Sequence, residues 1–120
     1  MKDKKDISKT IIWLGNSKKI LLKFPAEVRR DIGFALYFAQ IGEKHPNVKM
    51  LKGLGSGVYE VVEDYRADTF RAVYTVHFKR KIYVLHVFQK KSKSGIKTPN
   101  EDTRVIKERL KRAQELENEK

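Results

Sequence analysis

The sequence predicts one α+β domain with an antiparallel sheet. Three observations predict it. The chain has 120 residues, enough for a single hydrophobic core and not for two. Three runs rich in β-branched and aromatic residues follow one another with only short turns between them: "VYEVVE" from Val58, "TFRAVYTVHF" from Thr69 and "IYVLHVFQ" from Ile82. Strands joined so closely pair antiparallel. Two further segments, 26–41 and 99–116, carry apolar residues at helical spacing instead.

The elements follow in order. Residues 1–9 read as a solvated arm, charged and without the apolar stretch of a secretory signal. "TIIWL" from Thr10 predicts a first strand, "GNSKK" turns the chain, and "ILLKF" reads as a short helix. Pro25 suits a helix start, where its missing N–H is no loss. Val28, Ile32, Ala35, Leu36 and Ala39 then form a helical stripe, which Phe34, Phe38 and Ile41 widen, so this helix is expected to be buried on more than one side. It stops near Gly42, with His45-Pro46 beyond. "MLKGLGSG", 50–57, reads as a flexible connection: a phosphate-binding glycine loop follows a strand and opens a helix, and this one does the reverse. "DYRAD" and "KRK" are the turns of the three-strand meander. Apolar residues on both faces of those strands predict a sheet covered on both sides. Thr98-Pro99-Asn100-Glu101 predicts a capped helix start, and Val105, Ile106, Leu110, Ala113 and Leu116 line one helix face. The domain is drawn at 10–116, with 117–120 a frayed tail.

Charge narrows the function. Lys and Arg number 27 against 15 Asp and Glu, a formal net charge of +12. Such a field attracts polyanions, nucleic acid first. With no cysteine, disulfides and thiolate metal sites are excluded. No histidine pair has metal-ligand spacing, and neither metal nor cofactor is expected. The longest apolar runs fall far short of the ~20 residues of a membrane helix. A cytoplasmic protein is expected.

The candidate site lies where the last strand ends in "QKKSKSGIKTP". If Phe78 faces Ile82 across the KRK bend, Arg71 lies opposite Gln89, and Lys91 continues that face; a slip of one residue puts Lys90 there instead. Arg71 stands inside a run of strand-formers, where a charge is paired or functional. The structural alternative is an ion pair with Glu60 or Glu63. Lys52, before the glycine turn, is expected to reach the same edge, or else to be a solvated loop lysine. His86 is expected across from Tyr74, on the face away from Arg71, as a hydrogen-bonded core residue.

The pieces "YRADTFRAVYTV" and "LHVFQKKSKSGIKTP", with "FPAEVRRDIGFALYFAQIGEKHP" before them, resemble the HigB-like, phage-related toxins of the RelE/ParE superfamily over residues 10–112. The resemblance implies a RelE-like fold, a helix-turn-helix antitoxin of the HigA-like kind as partner, and mRNA cleavage on the ribosome without a metal. It places Arg71 at the scissile phosphate with Lys90, Lys91 and Lys52, and Lys49 beside Lys52; RNA binding is expected of Lys49, Arg66, Lys93 and Lys97, the loop lysines through their charge. Many RelE-like enzymes carry a tyrosine or histidine near the start of the last helix for proton transfer; "SKSGIKTPNED" has neither. Lysine is a poor base at its usual pKa of ~10.4, but crowded lysines disfavour the protonated form and bring one closer to accepting a proton. The rival readings are a ParE-like gyrase inhibitor and a non-catalytic nucleic-acid-binding module.

Overall fold

The computed structural model describes residues 8–90 and 99–119. Among the described residues five strands and three helices follow in this order: β1 (Thr10–Trp13), α1 (Ser17–Leu21), α2 (Ala26–Gln40), β2 (Val48–Met50), β3 (Val58–Tyr65), β4 (Asp68–Thr75), β5 (Lys81–Lys90) and α3 (Asn100–Asn118). The sheet order is β1-β5-β4-β3-β2. The meander β3-β4-β5 is antiparallel as expected, while β1 joins β5 in parallel, pairing Thr10 with Lys81 and Trp13 with Val84. Alternation within β1 carries no information about which strand it meets.

Helices cover both faces. The expected stripe of α2, Val28, Ile32, Ala35, Leu36 and Ala39, packs with Phe70, Ala72, Tyr74, Ile82, Val84 and Val87. On the other face Ile106 and Ala113 of α3 meet Leu14, Val58, Val73, Tyr83, Leu85 and Phe88. Fully burying one large aliphatic side chain is worth ~1.5–3 kcal/mol, so α2 is held mainly by apolar contact. With only two fully buried residues, α3 is held differently, by polar ties spaced along β5. The Tyr83 hydroxyl donates to Glu117 Oε2 at 2.7 Å, Arg109 Nη1 donates to the Leu85 carbonyl at 3.0 Å, and His86 Nε2 lies 2.7 Å from Asp102 Oδ1. Burial first, then Glu117, pushes the Tyr83 phenol up to about 12, so it stays a neutral donor.

Several expectations are corrected. Phe34 is 53% exposed, so α2 buries one side only. Strand β2 is not anticipated by the sequence; three residues of which one is buried leave no periodic signal. The tail does not fray from Glu117, since α3 runs to Asn118 and Glu117 is bonded. Lys9 does not belong to a free arm: its backbone N–H donates to Gln40 O, its ammonium to Val76 O, and Gln40 Nε2 donates back to Lys9 O. Helix α3 starts at Asn100 behind Pro99 without a side-chain cap; Thr98 lies outside the described residues. The glycine segment is a turn, as expected. At Gly57, φ is +82° and a Cβ would stand 2.7 Å from His77 Cβ, so only glycine fits. Among the described residues no helix is long and apolar enough to cross a membrane.

Candidate nucleic-acid interface

The site is set by the register of β4 and β5. Thr69 pairs with Lys90, Phe70 with Gln89, Arg71 with Phe88, Ala72 with Val87 and Val73 with His86; the next pair is Tyr74 with Val84. Leu85 is therefore an extra residue, a bulge in β5. The expected pairing of Arg71 with Gln89 is corrected to the alternative one-residue slip, and Lys90 takes Arg71's face. The cause lies at the bend. Strand β4 stops at Thr75, whose hydroxyl accepts the Tyr83 N–H at 3.2 Å, and the connection spans 76–80 instead of a tight KRK turn. The slip and bulge also move His86 onto Arg71's face, against expectation.

Arg71 is 2% exposed, and its Nη1 lies 3.2 Å from Oε1 of Glu60, itself 1% exposed. The two residues are diagonal neighbours, since Arg71 pairs with Val62 and Glu60 with Val73. The structural alternative for Arg71 is thus present, and its guanidinium is not open to a phosphate in this conformation. Glu63 belongs to the other face, where Asn47 Nδ2 donates to it at 2.8 Å. Burial raises the Glu63 carboxyl above its ordinary range, the Asn47 bond opposes this, and Asp31 adds to it.

The remaining predicted cations separate. Lys90 is half-buried at the end of β5. Arg66 shares that end of the sheet, in the β3–β4 turn at φ 59°, its guanidinium 5.2 Å from the Tyr65 ring. Lys49 is exposed opposite Glu60. Lys52 does not reach Lys90's end: it follows Leu51, which bonds Val58, and Val58 pairs with Thr75, whereas Lys90 pairs with Thr69. Those positions stand ~20 Å apart along the strand. Lys91, Lys93 and Lys97 lie outside the described residues.

Sequence reasoning missed Asp102 and undervalued His86. Asp102 sits in the first turn of α3 and fixes the imidazole, which stacks on Phe88 at a centroid distance of 5.0 Å. Among the described residues His86 Nδ1 has no hydrogen-bond partner. Beside this pair, β5 runs past the last residue of β1, and α1 takes the place of a strand. Between them lies a groove of ≈ 390 Å³ lined chiefly by Asn16, Ile20, Lys23, Phe24, His86 and Phe88.

The sequence model of the family "Phage derived protein Gp49-like" matches residues 19–111. Among solved structures, the fold is similar to that of an arginine-to-alanine double mutant of the E. coli toxin RelE in the free state. That match has 20% sequence identity and a TM-score of 0.55, and covers 88% of this chain and 97% of the other. No curated protein matches the sequence.

Proposed function

The chain belongs to the phage-derived Gp49-like family, and from that premise we propose that it is the toxin of a HigB-like toxin–antitoxin pair, an endoribonuclease that cuts mRNA on the ribosome. One observation carries the reading. The last residue of β5, Lys90, stands on the same face as Arg71, and the sequence continues from it as "KSKSGIK", a dense run of cations.

The chemistry is attack by a 2′-oxygen on the adjacent phosphorus, with the 5′-oxygen leaving. Negative charge grows on the phosphate oxygens, and positioned cations stabilise it, commonly the largest single contribution to such a rate. Phosphate contact falls to Lys90 and Lys91; a crowded lysine accepts the 2′ proton, and a protonated lysine of the cluster gives one to the departing 5′-oxygen. Arg71, matched by Glu60, holds the sheet beneath them and reaches phosphate only where Glu60 releases it. Lys49, Lys52, Arg66, Lys93 and Lys97 track the RNA backbone. A helix-turn-helix antitoxin with an acidic surface complements the +12 charge. The protein works in the cytoplasm without a cofactor.

Induction in a bacterial host, with and without the neighbouring reading frame, followed by mapping of transcript ends, tests this. New 5′ ends within open reading frames, suppressed by the neighbour, are expected. Growth arrest with intact transcripts and relaxed plasmid would favour gyrase inhibition and sink the nuclease reading.

A further inference from the structure

The groove between α1 and the end of β5 is lined by none of the described lysines assigned to the chemistry, and no step above uses it. We propose that it holds one nucleotide of single-stranded RNA, the base against the aromatic wall and the phosphate on Lys23. The proposal rests on RNA as the substrate and adds a subsite beside the cleavage position.

Four features point to a nucleotide. A volume of ≈ 390 Å³ is of the size that small-molecule sites occupy. Its wall is aromatic: Phe24, Phe88 and the imidazole of His86, stacked on Phe88 at an interplanar angle of 21°. Aromatic surfaces take bases of any sequence, at ~1–3 kcal/mol per stacked base. Asp102 bonds the imidazole at 2.7 Å, so the ring has a set orientation before the base arrives. The rim supplies primary amides. Asn16, whose Oδ1 accepts from Arg109, and Gln89, whose Nε2 donates to Asp68, leave the Asn16 Nδ2 donor and the Gln89 Oε1 acceptor for the edge of an unpaired base.

Charge selects the occupant. Lys23 is exposed at the mouth, and Lys18 and Lys19 are exposed on α1 beside it. The facing α3 side contributes Arg109, which donates to Leu85 O and, at 3.4 Å, to Asn16 Oδ1, and the carboxylate of Asp102 is already engaged with His86. An aromatic, amide-rimmed groove under a positive field fits a base and its phosphate better than a peptide of the antitoxin.

The test is binding of a fluorescent ten-nucleotide single-stranded RNA as a function of salt, for wild type, K23Q, N16A and K107Q. Lys107 is exposed on α3 and removes the same unit of charge away from the groove. Each lysine that neutralises a phosphate of a single strand adds ~0.7 to the log–log salt slope. K23Q is expected to lower the slope by that amount, with a several-fold loss of affinity at low salt. K107Q is expected to match wild type, and N16A to lose affinity with the slope unchanged. Photocrosslinks from a 4-thiouridine in the RNA are expected within 86–89. If K23Q behaves as K107Q does, or the crosslinks fall elsewhere, the assignment is wrong. It is also wrong if K23Q keeps RNA affinity but escapes the antitoxin, since the groove then docks protein. Wild-type protein that binds RNA in this groove yet cuts no transcript overturns the nuclease reading and leaves this one standing.

Discussion

Two side-chain pairs, Arg71 with Glu60 and His86 with Asp102, occupy one face of the sheet, and water reaches them differently. Arg71 and Glu60 are sealed, with 3% and 1% of their side chains exposed; His86 and Asp102 keep 13% and 24%. A sealed pair has given up its hydration, so each charge depends on the other. A half-open pair is screened by solvent and holds its members more loosely. The comparison separates support from contact. The residue that sequence resemblance sets at the chemistry is sealed against Glu60, and a histidine expected as core packing borders a groove.

Breaking the sealed pair should have the largest effect. Arg71→Met leaves the Glu60 carboxylate buried without its cation, and ~3–5 kcal/mol of stability should be lost in urea unfolding. Replacing Glu60 by Leu in the same chain should restore most of it, because apolar side chains of similar size replace buried pairs at little cost. An Arg71→Met protein that is stable but inactive would return Arg71 to direct phosphate contact.

Lys90→Gln should do the reverse. Thermal stability should stay within about a degree, while single-turnover cleavage at saturating ribosomes falls ~10²-fold or more. In the same assay Lys93→Gln and Lys97→Gln should weaken binding and flatten its salt dependence while sparing the cleavage step. Equal losses in that step for all three would show that the cation cluster acts as one unit.

The half-open pair should cost less to break. Asp102→Asn removes one charge-assisted bond in partial contact with water, worth ~1 kcal/mol, or a few degrees of melting temperature. A loss as large as that of Arg71→Met would erase the distinction between the pairs.

Glu63, on the opposite face, gives the smallest effect. Its folded pKa is raised, so the native state holds its proton at pH values where the unfolded chain has released it. Stability therefore falls as pH rises from the ordinary carboxylate range through the raised value. Glu63→Gln cannot lose that proton. The stability of wild type relative to Glu63→Gln should be lower at pH 7 than at pH 4. An unchanged difference across that range would mean that Asn47 compensates fully.

Much of the frame was legible. Helix α2 announced its buried face residue by residue, because a stripe at a period of 3.6 has one geometric meaning. The meander was legible because short turns leave antiparallel pairing as the only outcome. The cation cluster was legible as composition. Its relation to Arg71 was not, because strand side chains repeat every two residues and a slip of one inverts every facing. Residues 69–89 admit both registers, and nothing in the chain chooses between them.

By itself the sequence determined an α+β domain, the two long helices, the three central strands and a surface rich in positive charge, all of which follow from local periodicity and counting. Tertiary structure decided which charges meet. The Leu85 bulge turned His86 to the face of α3, and α3, tied along β5, brought Asp102 within 2.7 Å of it. The same packing closed Glu60 over Arg71. Separation along a chain sets no distance across a sheet; only the register, and the helix laid on top, converts one into the other.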